Sequence, residues 1–303
     1  MEMLSKDQLR LPFDRLPDEA QVQAFGVQYA RVPDPLGGLL YVTQHGWPYI
    51  DYLLPDVWFL GGHYSHKGQR LSEGTGTVYR LRLTPKGMPR VELVVKISRF
   101  AEFVPLFMPS TLPENLPGYL AEEAKFNSPF EEFGLIEEMR RGHYGPPELR
   151  ILTKRPLAIY CGPVRHKLWQ LGRTQNRFHE YDLALRTDQQ MVPTDHQINM
   201  DIERQYIMLF GWVSGDNAED LQIEGVLEKD EVEALTRRVN QELALKGFRI
   251  LDNKPKHFIL RRRPDGTLLR RKDGRLVYVQ VDFELLQRTE EYLAYLAGRR
   301  GSA

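Results

Sequence analysis

Residues 250–260, Ile-Leu-Asp-Asn-Lys-Pro-Lys-His-Phe-Ile-Leu, hold an acid, a base and a histidine between two pairs of apolar anchors. A carboxylate such as Asp252 can accept a proton, and an ammonium such as Lys254 can neutralise developing negative charge; both tasks need groups that are held still. A second acid, Asp282, follows Val279 and Val281, and a carboxylate oxygen is a hard ligand suited to Mg2+. Lys96 stands alone in the apolar run Leu93-Val94-Val95-Lys96-Ile97. Glu132 is followed at +3, +4 and +7 by Leu135, Ile136 and Met139, so it borders the packed face of a helix; Glu131 is the alternative. Each feature taken singly has a plainer reading: a polar turn, an acid at a strand end, a lysine snorkelling outward, a solvated acidic first turn.

The elements that must position these groups are legible from periodicity and end signals. Residues 76–83 alternate apolar and polar, 85–88 supply a turn, and 90–100 form the next strand, a β-hairpin that carries Lys96. The spacing predicts a helix over 127–142, with Asn127 or Ser128 as cap, Pro129 in the first turn and Gly142 at the end. Strands are expected from Asp56-Val57-Trp58-Phe59 onward, at 148–153, at 157–162 and at 204–211, the last running into a glycine-bearing hinge. A strongly patterned helix is expected over 228–247, then the charged loop, a strand from His257, and Asp-Gly turns at 265–266 and 273–274. A strand over 276–286 and a last helix complete the reading, while residues 1–50, rich in Pro and Gly, read as an extension that wraps a neighbouring surface.

Taken in this order, the motifs resemble the protein-kinase-like fold in its atypical, small-molecule-kinase style, as in aminoglycoside and choline kinases. The resemblance covers roughly residues 70–290. Asp252, Lys254, Pro255 and His257 stand at the steps of the catalytic loop, and Asp282-Phe283-Glu284 resembles the metal-binding motif with the ending seen in those relatives. Ile250 departs from the customary His and His257 from the customary Asn; imidazole is a poorer Mg2+ ligand than an amide oxygen.

The resemblance implies Asp252 as base, Lys254 as transition-state cation, and Asp282 and His257 as metal contacts. Lys96 and Glu132 become the phosphate-positioning pair. Gly74 and Gly76 stand in a weakly matching glycine loop, with Val78 against the adenine. Phe210 borders that pocket, and the backbone from Gly211 to Val213 bonds the base, within a slip of one residue. ATP and Mg2+ are the implied cofactors.

The implied fold class is α+β and bilobal: an antiparallel N-lobe sheet with one key helix, and a minimal C-lobe of helix, catalytic loop and β-hairpins. The implied division is an N-terminal extension (1–55), an N-lobe (56–210) with an insertion (163–200), and a hinge with reduced C-lobe (211–303). Only about 20 residues follow Glu284, too few for an activation segment and peptide-docking helices. The expectation is therefore an ATP- and Mg2+-dependent phosphotransferase with an open acceptor, a small molecule or a protein, and not a conventional peptide kinase. A nucleotide-binding pseudokinase or scaffold is the alternative, and adenylyl transfer on the same fold a further one.

The totals set the surroundings. The chain has 303 residues, with 41 Lys+Arg balancing 41 Asp+Glu, which argues against a protein built to coat nucleic acid. The basic run at 261–275 reads as the solvated face of a hairpin. One cysteine, Cys161, excludes an internal disulfide and a multi-thiolate zinc site. No apolar segment resembles a signal peptide or a membrane-spanning helix, so a cytoplasmic protein without membrane partners is expected. Neither a His-Glu-x-x-His spacing nor a Gly-x-Ser-x-Gly elbow occurs.

Overall fold

The computed structural model describes residues 7–71, 77–85, 87–102, 126–173, 198 and 200–300. It is a mixed α+β structure with two compact units. The first comprises the described residues of Met1–Phe103, Phe126–Gly134 and Arg155–Trp212; the second those of Leu135–Lys154 and Val213–Ala303.

The first unit is built on eight strands: β1 (Gln21–Ala24), β2 (Val27–Pro33), β3 (Leu39–Thr43), β4 (Gln69–Arg70), β5 (Val78–Leu83), β6 (Val91–Ile97), β7 (Pro156–Arg165) and β8 (Arg204–Gly211). Their order is β1-β2-β3-β7-β8-β6-β5-β4, with every neighbouring pair antiparallel. Leu40, Val42, Leu81, Leu93, Val95 and Leu209 form one core with Trp47, Leu53 and Trp58. Those three residues belong to a 3-10 turn (Trp47–Tyr49) and to the short helices α1 (Ile50–Leu53) and α2 (Pro55–Trp58); α3 (His63–His66) follows. Residues of opposite parity, Tyr29 and Tyr41, meet Phe130 edge-on with ring centroids 5.5 and 5.0 Å apart. Phe130 sits in the first turn of α4 (Pro129–Arg141), which Ser128 caps: its Oγ accepts from Glu131 N–H at 3.0 Å, and Glu131 Oε2 accepts from Ser128 N–H at 3.3 Å.

Two expectations are corrected here. The described part of the expected extension 1–55, residues 7–55, is not peripheral: it supplies β1, β2 and β3, with Tyr29, Leu40 and Val42 fully buried. Both faces of β3 are covered, so its sequence lacks the alternation that marks a half-exposed strand. The run beginning at Asp56 forms helical turns, α2 and a 3-10 turn at Leu60–Gly62, where strands were expected, because a short apolar run has no period of its own.

The second unit takes Leu135, Ile136 and Met139 of α4 into its buried set. It adds β9 (Asp216–Asn217), α5 (Ala218–Ile223), α6 (Lys229–Leu245), β10 (Phe248–Ile250), β11 (Phe258–Leu260), β12 (Tyr278–Gln280), β13 (Leu286–Arg288) and α7 (Glu290–Arg300). Val232, Leu235, Val239 and Leu243 bury one stripe of α6 at helical spacing. Two small antiparallel sheets result, β10-β13 and β12-β11-β9. The expected strand over 276–286 is thus two short strands, and Asp282 lies in the irregular stretch between them. The expected strand at 148–153 is irregular apart from one bridge, Thr153 to Gln280.

Gly215 governs how closely β9 approaches β11. Its φ is +141°, and a Cβ there would lie 2.3 Å from the Leu260 carbonyl oxygen. Glu138 and Arg288 join α4 to β13 within this unit through a forked ion pair, with Nη2 to Oε2 at 2.5 Å.

Candidate functional site

The charged loop leaves β10 at Ile250, crosses Leu251 to Lys254, makes one 3-10 turn over Pro255–His257 and enters β11. Its anchors Ile250, Leu251 and Phe258 are buried. Two backbone bonds clamp it to the segment carrying the second acid: Leu251 N–H donates to Leu285 O at 3.3 Å, and Val281 N–H donates to His257 O at 3.1 Å. Lys254 Nζ lies 2.8 Å from Asp252 Oδ2, with about a quarter of each side chain still exposed (24% and 26%). The pair is therefore fixed by the backbone and open to solvent.

His257 links the charged loop to the second acid. Its Nε2 is 3.5 Å from Asp282 Oδ2, and its Nδ1 faces the Lys254 N–H at 3.4 Å. Burial pushes the imidazole below its usual range; Asp282 and then Asp252 oppose that effect by their negative charge. The ring is thus neutral at pH 7, and since Nδ1 faces a donor, the proton belongs on Nε2, toward Asp282. One ring nitrogen faces an amide and the other the Asp282 carboxylate, which is the group nearest the nitrogen expected to contact a metal.

Sequence reasoning missed the buried amides behind these acids. Asn253 Nδ2 donates to Asn240 Oδ1 of α6 at 2.8 Å; Gln280 Nε2 donates to Asn253 Oδ1 at 3.1 Å and to Asp282 O at 3.3 Å. The one available signal was Gln280 itself, a lone polar residue in the apolar run Val277-Tyr278-Val279-Gln280-Val281. Lys154 was also missed: it is buried, with Nζ 5.8 Å from the ring centre of Phe283.

In the first unit, Lys96 on β6 is 4% exposed and Glu132 on α4 fully buried, with Nζ 3.4 Å from Oε2. The outward-snorkelling alternative for Lys96 is thereby removed, and Glu131 is occupied by the Ser128 cap. Val78 is the direct cross-strand neighbour of Lys96. Phe210 is fully buried, its ring 5.1 Å from that of Phe133. The amides of Gly211 and Trp212 are already committed, to Arg155 O at 3.0 Å and Glu92 O at 3.1 Å. Of the three expected base-binding residues, Val213 alone has an amide with no hydrogen-bond partner among the described residues. Gly74, Gly76 and most of the expected insertion, including 174–197, lie outside the described residues.

Among the described residues no three His, Cys, Asp or Glu side chains converge into a metal cage. Mg2+ commonly takes only one or two protein carboxylates, the rest of its shell being phosphate oxygens and water. Asp282, 29% exposed and oriented by a neutral imidazole, offers such a carboxylate. The basic run is largely spoken for: Arg262, Arg270, Arg271 and Arg275 all pair with acids. Among the described residues no helix is long and apolar enough to cross a membrane. No protein-family model matches the chain, and no curated protein matches it.

Proposed function

We propose that this chain is an ATP- and Mg2+-dependent phosphotransferase of the atypical, bilobal kinase-like kind, acting on an acceptor hydroxyl and not on a peptide docked in the conventional way. The observation that carries this reading is that the loop bearing Asp252 is clamped by two backbone bonds to the segment bearing Asp282, thirty positions on, with His257 Nε2 of that loop 3.5 Å from Asp282 Oδ2. Asp252 takes the proton of the attacking hydroxyl. Lys254, already beside that carboxylate, offsets negative charge on the phosphoryl group as its bond to the leaving diphosphate breaks. Lys96, held by Glu132 within the first unit, keeps the phosphate-positioning role that the resemblance implies for it. Mg2+, when bound, neutralises the triphosphate, and Asp282 is the carboxylate that holds it.

A thermal-shift titration tests binding. ATP with Mg2+ should raise the melting temperature, since saturation at about 100 times the dissociation constant adds roughly 2.7 kcal/mol to stability. No shift up to millimolar ATP and Mg2+ would remove the reading. The pseudokinase alternative draws on His257, which replaces a metal-binding amide with a ring facing inward. It predicts the same shift without phosphoryl transfer.

A further inference from the structure

The strongest unexplained feature of the second unit is the chain of buried amides. Asn253 is 2% and Gln280 0% exposed, positions that apolar side chains would fill at lower desolvation cost. One of their oxygens, Gln280 Oε1, is buried without a hydrogen-bond partner among the described residues. The donors are spent on a particular task. The Gln280 NH2 reaches both Asn253, the residue after Asp252, and the carbonyl of Asp282; Asn253 in turn donates to Asn240 on α6. The Gln280 backbone is itself pinned, its N–H to Leu152 O at 2.8 Å and its carbonyl to Lys154 N–H at 3.2 Å.

We infer that Asn253 and Gln280 are positioning residues that set the placement of Asp282 relative to Asp252, and hence the affinity of the divalent cation. The inference rests on the phosphotransferase reading and deepens it. A side-chain NH2 that bonds both acid-bearing segments fixes their register in a way that apolar packing, being non-directional, does not. Partners behind a metal ligand typically alter metal affinity or activity by about 10–100-fold when removed.

The test uses three variants of the full chain: Gln280→Met, Asn253→Leu and the double. Each single change strands a buried amide and lowers the melting temperature. The double replaces both partners with apolar groups of similar shape and recovers part of that loss. Mn2+ binding by the protein in the presence of ATP is then read by electron paramagnetic resonance of the free ion, against the same titration of ATP without protein, since ATP alone sequesters Mn2+. The inference expects the Mn2+ dissociation constant to rise about 10-fold or more in all three proteins, the thermally recovered double included. If a single variant fails to fold, the double carries the test. A double variant that binds Mn2+ as the wild type does would overturn the inference and leave the amides a packing device. Failure of the underlying reading looks different, because the wild type would then deplete free Mn2+ no further than ATP alone does, and the inference falls with it.

Discussion

Lys96 on β6 and Glu132 in the first half of α4 meet with Nζ and Oε2 3.4 Å apart, both almost wholly removed from water. Two charges taken out of solvent are costly singly and tolerable together. Replacing Glu132 by Gln should therefore destabilise the first unit by about 3–5 kcal/mol in urea unfolding. The double variant Lys96→Met with Glu132→Leu should recover most of that stability while abolishing any ATP-induced thermal shift. A Glu132→Gln variant as stable as the wild type would show that the pair carries no such burden.

His257 gives stability a pH dependence whose sign follows from burial. Its folded pKa lies below the ordinary value, so as pH falls through about 6.5 the unfolded chain takes up a proton before the folded one does. The unfolded state then binds more protons, and stability declines with acidification by at most about 1.4 kcal/mol per pH unit from this group. Asp282, Asp252, Lys256 and Lys254 are the charged groups acting on it. Urea unfolding in EDTA between pH 7 and 5.5 should show that slope in the wild type and a shallower one in His257→Gln. Equal slopes would mean that the ring is solvated.

Gly215→Ala should cost about 2 kcal/mol or more, since the new Cβ meets the Leu260 carbonyl and the backbone sits where L-residues are strained. Because β9 pairs with β11, hydrogen exchange at Ile259 and Leu260 should quicken. An unaltered exchange rate would place the tolerance of this turn elsewhere.

Much of the local structure was legible in sequence. The 3.6-residue stripe of α6, the Ser128 cap of α4 and the β5–β6 hairpin around Lys96 all follow from local patterns that solvent exposure imposes on one face. What escaped is what burial on both faces erases: β3 loses its alternation, and α2 reads as a strand. The amide chain escaped for another reason. Asn240, Asn253 and Gln280 are separated by 13 and 27 residues, and only the tertiary fold makes them partners. Spacing likewise gives the position of His257 in the loop and not which way its ring nitrogens point.

The central claim is that Asp252 and Asp282 perform phosphoryl transfer. Its most direct test follows γ-labelled ATP with Mg2+ and identifies the products made by the wild type, Asp252→Ala and Asp282→Ala, with water or an added alcohol as acceptor. The account predicts ADP and a phosphorylated acceptor or free phosphate from the wild type, with turnover lowered about 100-fold or more in each variant. Undiminished turnover in both variants would contradict it.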